Sequence, residues 1–99
     1  MKYFVIGDED TVLGFSLVGV EGISALSADD ATAAFKSALE NKENGIIIIT
    51  DKVADMIRDL VNQYLFSETF PLIVEIPASG GKYKKDLRNL VNEAIGVSL

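Results

Sequence analysis

Two kinds of apolar pattern alternate along the chain. Continuous apolar stretches, typical of strands covered on both faces, are separated by stretches in which apolar residues recur every three or four positions, typical of helices with one buried face. Strands are predicted at 2–6, about 20–26, 46–49 and 71–76. Because strands and helices alternate throughout, the pattern predicts an α/β fold with a mostly parallel sheet.

The strength of each strand pattern predicts its place in the sheet. Ile46 to Ile49 are four consecutive β-branched residues without a polar interruption, which indicates a central strand. The stretch 20–26 has small, mixed side chains and glycines at its start, which indicates an edge strand. With right-handed crossovers, the prediction is a Rossmann-like open sheet of four parallel strands, order 2-1-3-4, with helices on both faces.

Four helices are predicted between and after these strands. The first covers about 10–18 and is capped by Asp8 or Asp10. The second begins with the capping-box pattern of residues 27–30 and ends near Asn41. The third begins at Thr50 and Asp51 and has one continuous apolar stripe, Val53, Ala54, Ile57, Leu60, Val61 and Tyr64. The last has the stripe Leu87, Leu90, Val91, Ala94 and Ile95.

Length and charge restrict the class of protein. The 99 residues fit one domain, 1–99, in which 84–99 is expected to form a C-terminal helix and tail able to change position. The formal charge of −6 disfavours binding to nucleic acid or to anionic lipid. No apolar stretch approaches the roughly 20 residues of a spanning helix, so we expect a cytoplasmic protein without direct membrane insertion.

Few chemistries are open to this chain. It has no cysteine and no histidine, which removes thiolate and imidazole catalysis and the commonest metal ligands. Gly80-Gly81-Lys82 ends like a phosphate loop, but Ile76 and Tyr83 stand where the motif needs glycine and serine or threonine. We therefore expect no catalytic residue, no cofactor and no metal site.

One alternative keeps a metal site. Asp8 and Asp10 follow the first strand and Asp51 follows the third, as in the acidic pocket of receiver domains. The end of the third strand, however, has Thr50, and Asp51 is better placed to cap a helix. The alternative function is a truncated receiver-like signalling domain with a magnesium-binding acidic pocket.

Contact with another protein is the main hypothesis from the residues, at three places. The edge strand offers Val20, Ile23 and Leu26, and the loop after the fourth strand offers Lys82, Lys84 and Lys85 for an acidic partner. The tail offers three apolar residues, Ile95, Val97 and Leu99. A partner could fix this tail, or the tail could fold back onto the sheet; both possibilities stay open.

Three stretches together resemble one family. They are Val5-Ile6-Gly7-Asp8-Glu9-Asp10-Thr11-Val12-Leu13-Gly14-Phe15, Pro71-Leu72-Ile73-Val74-Glu75-Ile76-Pro77 and Leu90-Val91-Asn92-Glu93-Ala94-Ile95-Gly96. The chain resembles the F subunit of the archaeal and vacuolar-type rotary ATPases, and the likeness also includes 45–50. Residues 20–28 and 79–84 match nothing diagnostic.

The resemblance implies a non-catalytic rotor component of the central stalk. Such a component sits on the coiled-coil D subunit, rotates inside the catalytic A/B hexamer, and helps to couple ATP synthesis or hydrolysis to hydrogen ion or other ion transport by the membrane ring, which is reached through an adaptor. It is peripheral to the membrane. The resemblance gives the regulatory role to about 84–99, and residues 6–15 serve mainly to build the fold.

Overall fold

The computed structural model describes residues 1–78. The predicted last helix, the loop before it and the candidate residues Lys82, Lys84, Lys85, Ile95, Val97 and Leu99 lie outside the described residues. In chain order the elements are β1 (Lys2–Gly7), α1 (Glu9–Ser16), β2 (Glu21–Ser24), α2 (Ala28–Glu40), β3 (Asn44–Thr50), α3 (Asp51–Met56), α4 (Arg58–Ser67) and β4 (Leu72–Ile76).

The four strands form one parallel sheet in the order β2-β1-β3-β4. The predicted fold class and strand order are therefore confirmed. Ile6 of β1 pairs with Ile23 on one side and with Ile49 on the other. The isoleucine-rich strand β3 is central, as predicted, and β2 is at an edge.

The main hydrophobic core lies on the sheet face that is covered by α2, α3 and α4. Ile6, Ile47 and Ile49 project into it from the two central strands and are fully buried. Phe35 of α2 is also fully buried, and its ring meets that of Tyr64 edge to face, with centroids 5.8 Å apart. Burial of one such side chain contributes roughly 1.5–3 kcal/mol, so the several buried side chains of this face contribute strongly to the stability of the protein.

The opposite face is covered by α1 over β1 and β2. Val5 is fully buried there, and a Cβ placed on Gly22 would lie 3.3 Å from the side chain of Val12. On the β4 side of the same face, Leu72 and Val74 keep 55% and 42% of their surface exposed. Residues 1–78 thus cover one face of the sheet fully and the other face only in part.

The prediction of one third helix is wrong in one respect, because the structure has two helices in this stretch, α3 and α4. The backbone of Ile57 leaves the helical region, with φ −128° and ψ 36°, and separates α3 from α4. The apolar stripe nevertheless stays buried on both sides of the break, at Val53, Ala54, Ile57 and Val61. The break redirects α4 while these side chains remain in one core; no glycine or proline marks it in the sequence.

The start of α3 also differs from the prediction that Asp51 caps this helix. Thr50 is the N-cap, and its hydroxyl accepts a hydrogen bond from the backbone N–H of Val53. The Asp51 carboxylate instead accepts from the N–H groups of Lys52 and Ala78, at 2.7 and 3.1 Å. Asp51 thereby ties the end of β4 to the start of α3, a contact between distant parts of the chain.

Arg58, the first residue of α4, links that helix to β4. Its guanidinium donates two hydrogen bonds to the Glu75 carboxylate, at 2.7 and 3.0 Å, and another to Asp55. Hydrogen bonding to Arg58 lowers the pKa of Glu75 below its ordinary value of 4.5. Since a planar guanidinium matches a carboxylate at two points, this pair fixes the direction of α4 against β4.

Replacing Arg58 should give a pH-dependent loss of stability. A carboxylate with a lowered folded-state pKa stabilises the protein above its unfolded pKa, and this stabilisation disappears as the pH falls through the folded pKa. Arg58→Met should therefore lower the urea midpoint near neutral pH, and the difference from the parent should narrow below pH 4.5. Lys36→Met is the control. An equal difference at acidic pH would contradict the ion-pair explanation.

Candidate partner-binding surface

Helix α1 is held in place by its first residues. Asp8 is the N-cap, and its carboxylate accepts hydrogen bonds from the backbone N–H and the hydroxyl of Thr11, at 3.1 and 2.7 Å. Asp8 rather than Asp10 is therefore the cap, one of the two predicted possibilities. A capped start fixes the axis of α1 on the sheet, and with it the direction of the outer side chains.

The outer side of α1 is unusually apolar. Leu13 and Leu17 are 61% and 80% exposed, and they lie on the same side of the helix because they are four residues apart. Val18, just beyond the helix, is 77% exposed. No residue of α1 is fully buried, so this helix packs on the sheet with one side and presents large apolar side chains on the other.

Strand β2 continues this surface. Of the predicted edge residues, Ile23 and Leu26 are 40% and 76% exposed, and Val20 is half-buried. We call Leu13, Leu17, Val18 and Leu26 the α1–β2 surface; Ile23 follows Gly22, which faces α1, and therefore points to the other face of the sheet. The surface extends along α1, which packs mainly against β2, from Leu17 near the amino end of β2 to Leu26 beyond its carboxyl end. Several large apolar residues left exposed around one short helix are typical of a protein contact site.

Two glycines set the position of β2 beneath α1. Gly19 has φ +86°, a left-handed conformation that favours glycine at the turn between α1 and β2. A Cβ on Gly22 would lie 2.5 Å from the carbonyl oxygen of Val5 and would overlap the Val5 side chain. The close approach of β2 to β1 and α1 therefore requires glycine at this position.

The partner-binding residues predicted from the sequence include Leu26 but no residue of the α1 part of this surface. Leu13, Leu17 and Val18 were not among the predicted partner-binding residues. The signal was present, since the stretch from Val12 to Val18 has more apolar residues than one buried face of a short helix can hold.

Exposed apolar side chains also occur elsewhere. At the end of α4 and just after it, Leu65, Phe66 and Phe70 are 48%, 94% and 60% exposed. Of these, Phe70 lines a groove of about 480 Å³ between α2 and α4. This second patch offers a comparison surface for any binding experiment.

Two of the three acidic residues of the alternative function make structural hydrogen bonds. Asp8 caps α1, and Asp51 accepts the two backbone hydrogen bonds described above. Among residues 1–78, no group of histidine, cysteine, aspartate or glutamate side chains is arranged to hold a metal ion. The geometry thus gives no support to the acidic pocket of a receiver domain.

Comparison with known proteins decides the family. The model of the family described as the ATP synthase (F/14-kDa) subunit matches residues 4–95. The chain belongs to this family. It is 40% identical to the F subunit of the A-type ATP synthase of Pyrococcus furiosus, over 100% of this chain and 98% of that protein. It is 35% identical to the protein of the same name from Methanothermobacter thermautotrophicus, over 96% and 92% of the two chains.

Family membership confirms the resemblance found in the sequence. The match includes most of β1 and all of α1 and β4, which contain two of the stretches that resemble the family, and extends into the third stretch. Within residues 1–78, no helix is long and apolar enough to cross a membrane.

Two glycine substitutions should have opposite effects on stability. Gly22→Ala should destabilise the protein and loosen β2, because its Cβ would overlap Val5. In Gly14→Ala, the added Cβ would have no other atom within 4 Å, and the residue lies within α1. This substitution should therefore stabilise the protein by about 0.5–1 kcal/mol. Urea denaturation of both variants tests this, and stabilisation by Gly22→Ala would show that the close approach is wrong.

Proposed function

We propose that this chain is a non-catalytic rotor component of an A-type ATP synthase, and that it binds the coiled-coil D subunit of the central stalk. Its relatives over nearly the full chain are named as the F subunit of that enzyme. In this role the protein transmits torque between the catalytic hexamer and the membrane ring and helps to couple ATP turnover to ion transport. It is peripheral to the membrane and acts through contact.

The α1–β2 surface supports this proposal most directly. Leu17 and Leu26 are 80% and 76% exposed, although each could bury a large apolar area against a partner. Leu17 is the C-cap of α1 and Leu26 lies two residues after β2, so both directly follow elements held by capping and close packing, and their backbones are placed before binding. Preorganisation of this kind reduces the entropy lost on association. A coiled coil offers a matching partner, since its helices can present apolar side chains along one side.

The double variant Leu17→Ser/Leu26→Ser should weaken binding to the D subunit by roughly tenfold or more, because it removes two apolar contacts from the proposed interface. Its stability should change little, since both side chains are mostly exposed. Isothermal titration calorimetry with the D subunit of the same organism measures the affinity, and urea denaturation verifies the fold.

The matched control is Phe66→Ser, which removes a side chain that is 94% exposed on the second patch. It should leave the affinity for the D subunit unchanged. If Phe66→Ser weakens the complex and the double variant does not, the binding surface has been assigned to the wrong side of the molecule. If the unmodified chain forms no complex, the proposed function is wrong.

We also propose that the segment 84–99 regulates ATP hydrolysis in the assembled enzyme, as the family resemblance implies. Residues 1–78 contain a complete four-stranded sheet with a closed core on one face. This arrangement supports a fold that does not need the last few residues, so these residues are available for a regulatory contact.

Deletion of 95–99 should therefore leave the fold intact and change ATP hydrolysis by the assembled complex. The deletion removes Ile95, Val97 and Leu99, the apolar residues of the predicted tail. Thermal unfolding of the isolated chain and steady-state ATPase rates of the reconstituted complex measure the two effects. Unchanged turnover in a correctly assembled complex would exclude the tail from regulation.

A further inference from the structure

The acidic residues are concentrated in one part of the chain. Residues 3–35 contain Asp8, Glu9, Asp10, Glu21, Asp29 and Asp30 and no lysine or arginine, whereas the remaining residues have nine acidic and nine basic side chains. The formal charge of −6 thus equals the charge of residues 3–35, which run from β1 to the middle of α2. These elements also form or adjoin the α1–β2 surface.

Topology brings four of these acids to one rim. Gly7 and Ser24 are register partners at the carboxyl ends of β1 and β2, so the chain leaves the sheet at neighbouring points after each strand. Glu9 and Asp10 lie in the first turn of α1, and Asp29 and Asp30 lie in the first turn of α2. We call these four exposed residues the acidic rim.

The acidic rim borders an apolar residue that the fold leaves open. Leu26 lies in the loop between β2 and α2, is 76% exposed, and precedes Asp29 by three positions. Leu13 and Leu17 extend the apolar surface along α1, away from the rim. The result is an apolar surface bordered at one end by negative charge.

The charge of the rim is not balanced by ion pairs among residues 1–78. The ion pairs there join Lys2 to Glu43 and Arg58 to Asp55 and Glu75, all outside the rim. Hydrogen bonding to Glu43 raises the pKa of Lys2, and Glu21 lies close enough to contribute to that rise. Helix N-termini favour acidic residues, which accounts for their presence, but the outward charge remains available to a partner.

We infer that the α1–β2 surface binds a basic amphipathic segment, one that places apolar residues on Leu17 and Leu26 and lysine or arginine side chains against the acidic rim. This inference rests on the proposed function and adds the chemistry of the partner's contact region. Complementary charge at the border of an interface mainly accelerates association, whereas the apolar contacts hold the complex together. A second copy of this chain is a poor occupant because two acidic rims repel.

The experiment measures association with the D subunit of the same organism by stopped-flow fluorescence, from about 50 to about 500 mM salt. The rim variant is Glu9→Gln/Asp10→Asn/Asp29→Asn. The control variant, Glu40→Gln/Asp59→Asn/Glu68→Gln, removes the same number of exposed acids from α2 and α4 and the residue after α4. Thermal unfolding verifies that both are folded.

The association rate constant of the unmodified chain should fall steeply with salt. At low salt the rim variant should associate roughly tenfold more slowly with a nearly unchanged dissociation rate, and the control variant should remain within about twofold. The salt series on the unmodified chain needs no substitution, so it tests the inference even if the rim variant is unstable.

Contrary outcomes separate this inference from the proposed function. Suppose that the complex forms but its association rate constant does not change with salt, or that the rim and control variants associate at the same rate. The partner's contact region is then not basic, and the proposed function stands. Faster association by the rim variant would indicate an acidic partner segment and overturn the inference. Absence of any complex contradicts both.

Discussion

The requirement that β3 be buried on both faces governs this structure. Ile47 and Ile49 fill the core beneath α2, α3 and α4, while Ile48, on the other face, is 8% exposed. A parallel sheet needs cover on both sides, and the described helices divide that task unequally. Among residues 1–78, three helices close one face, and α1 is the helix that covers the other. Because α1 is short and lies over β1 and β2, its outer side and the adjacent edge of the sheet keep large apolar side chains exposed.

The sequence predicts the fold well where one signal dominates. The four isoleucines from Ile46 to Ile49 indicate a central strand in any α/β arrangement, and strict handedness of crossovers leaves few orders for the other strands. The break at Ile57 could not be predicted, because the apolar spacing is continuous across it and no helix-breaking residue is present. Only the packing of α3 and α4 against one core reveals it.

The exposed apolar residues of the α1–β2 surface were named only in part from the sequence, for a similar reason. Leu26 follows a weak strand, so its sequence context indicates a residue at the sheet edge. Leu13 and Leu17 look like ordinary apolar residues of a helix in the sequence, and only the structure shows that they are exposed. Exposure depends on which side of α1 faces the sheet, and the close approach at Gly22 decides that. The contact made by Asp51 also depends on a distant residue, Ala78, from whose backbone N–H it accepts a hydrogen bond and which local sequence cannot indicate.

The acidic residues at the start of α1 and α2 have two electrostatic effects, which act over different distances. Over a few ångströms, Glu9, Asp10, Asp29 and Asp30 offset the positive ends of two helices, which is a matter of stability. Over about 8–10 Å in salt solution, the same carboxylates form a field that an approaching protein meets first. Residues 3–35 contain no lysine or arginine that could offset this charge locally. Apolar contact alone does not orient an encounter between two proteins, whereas charge concentrated at one end of a surface does.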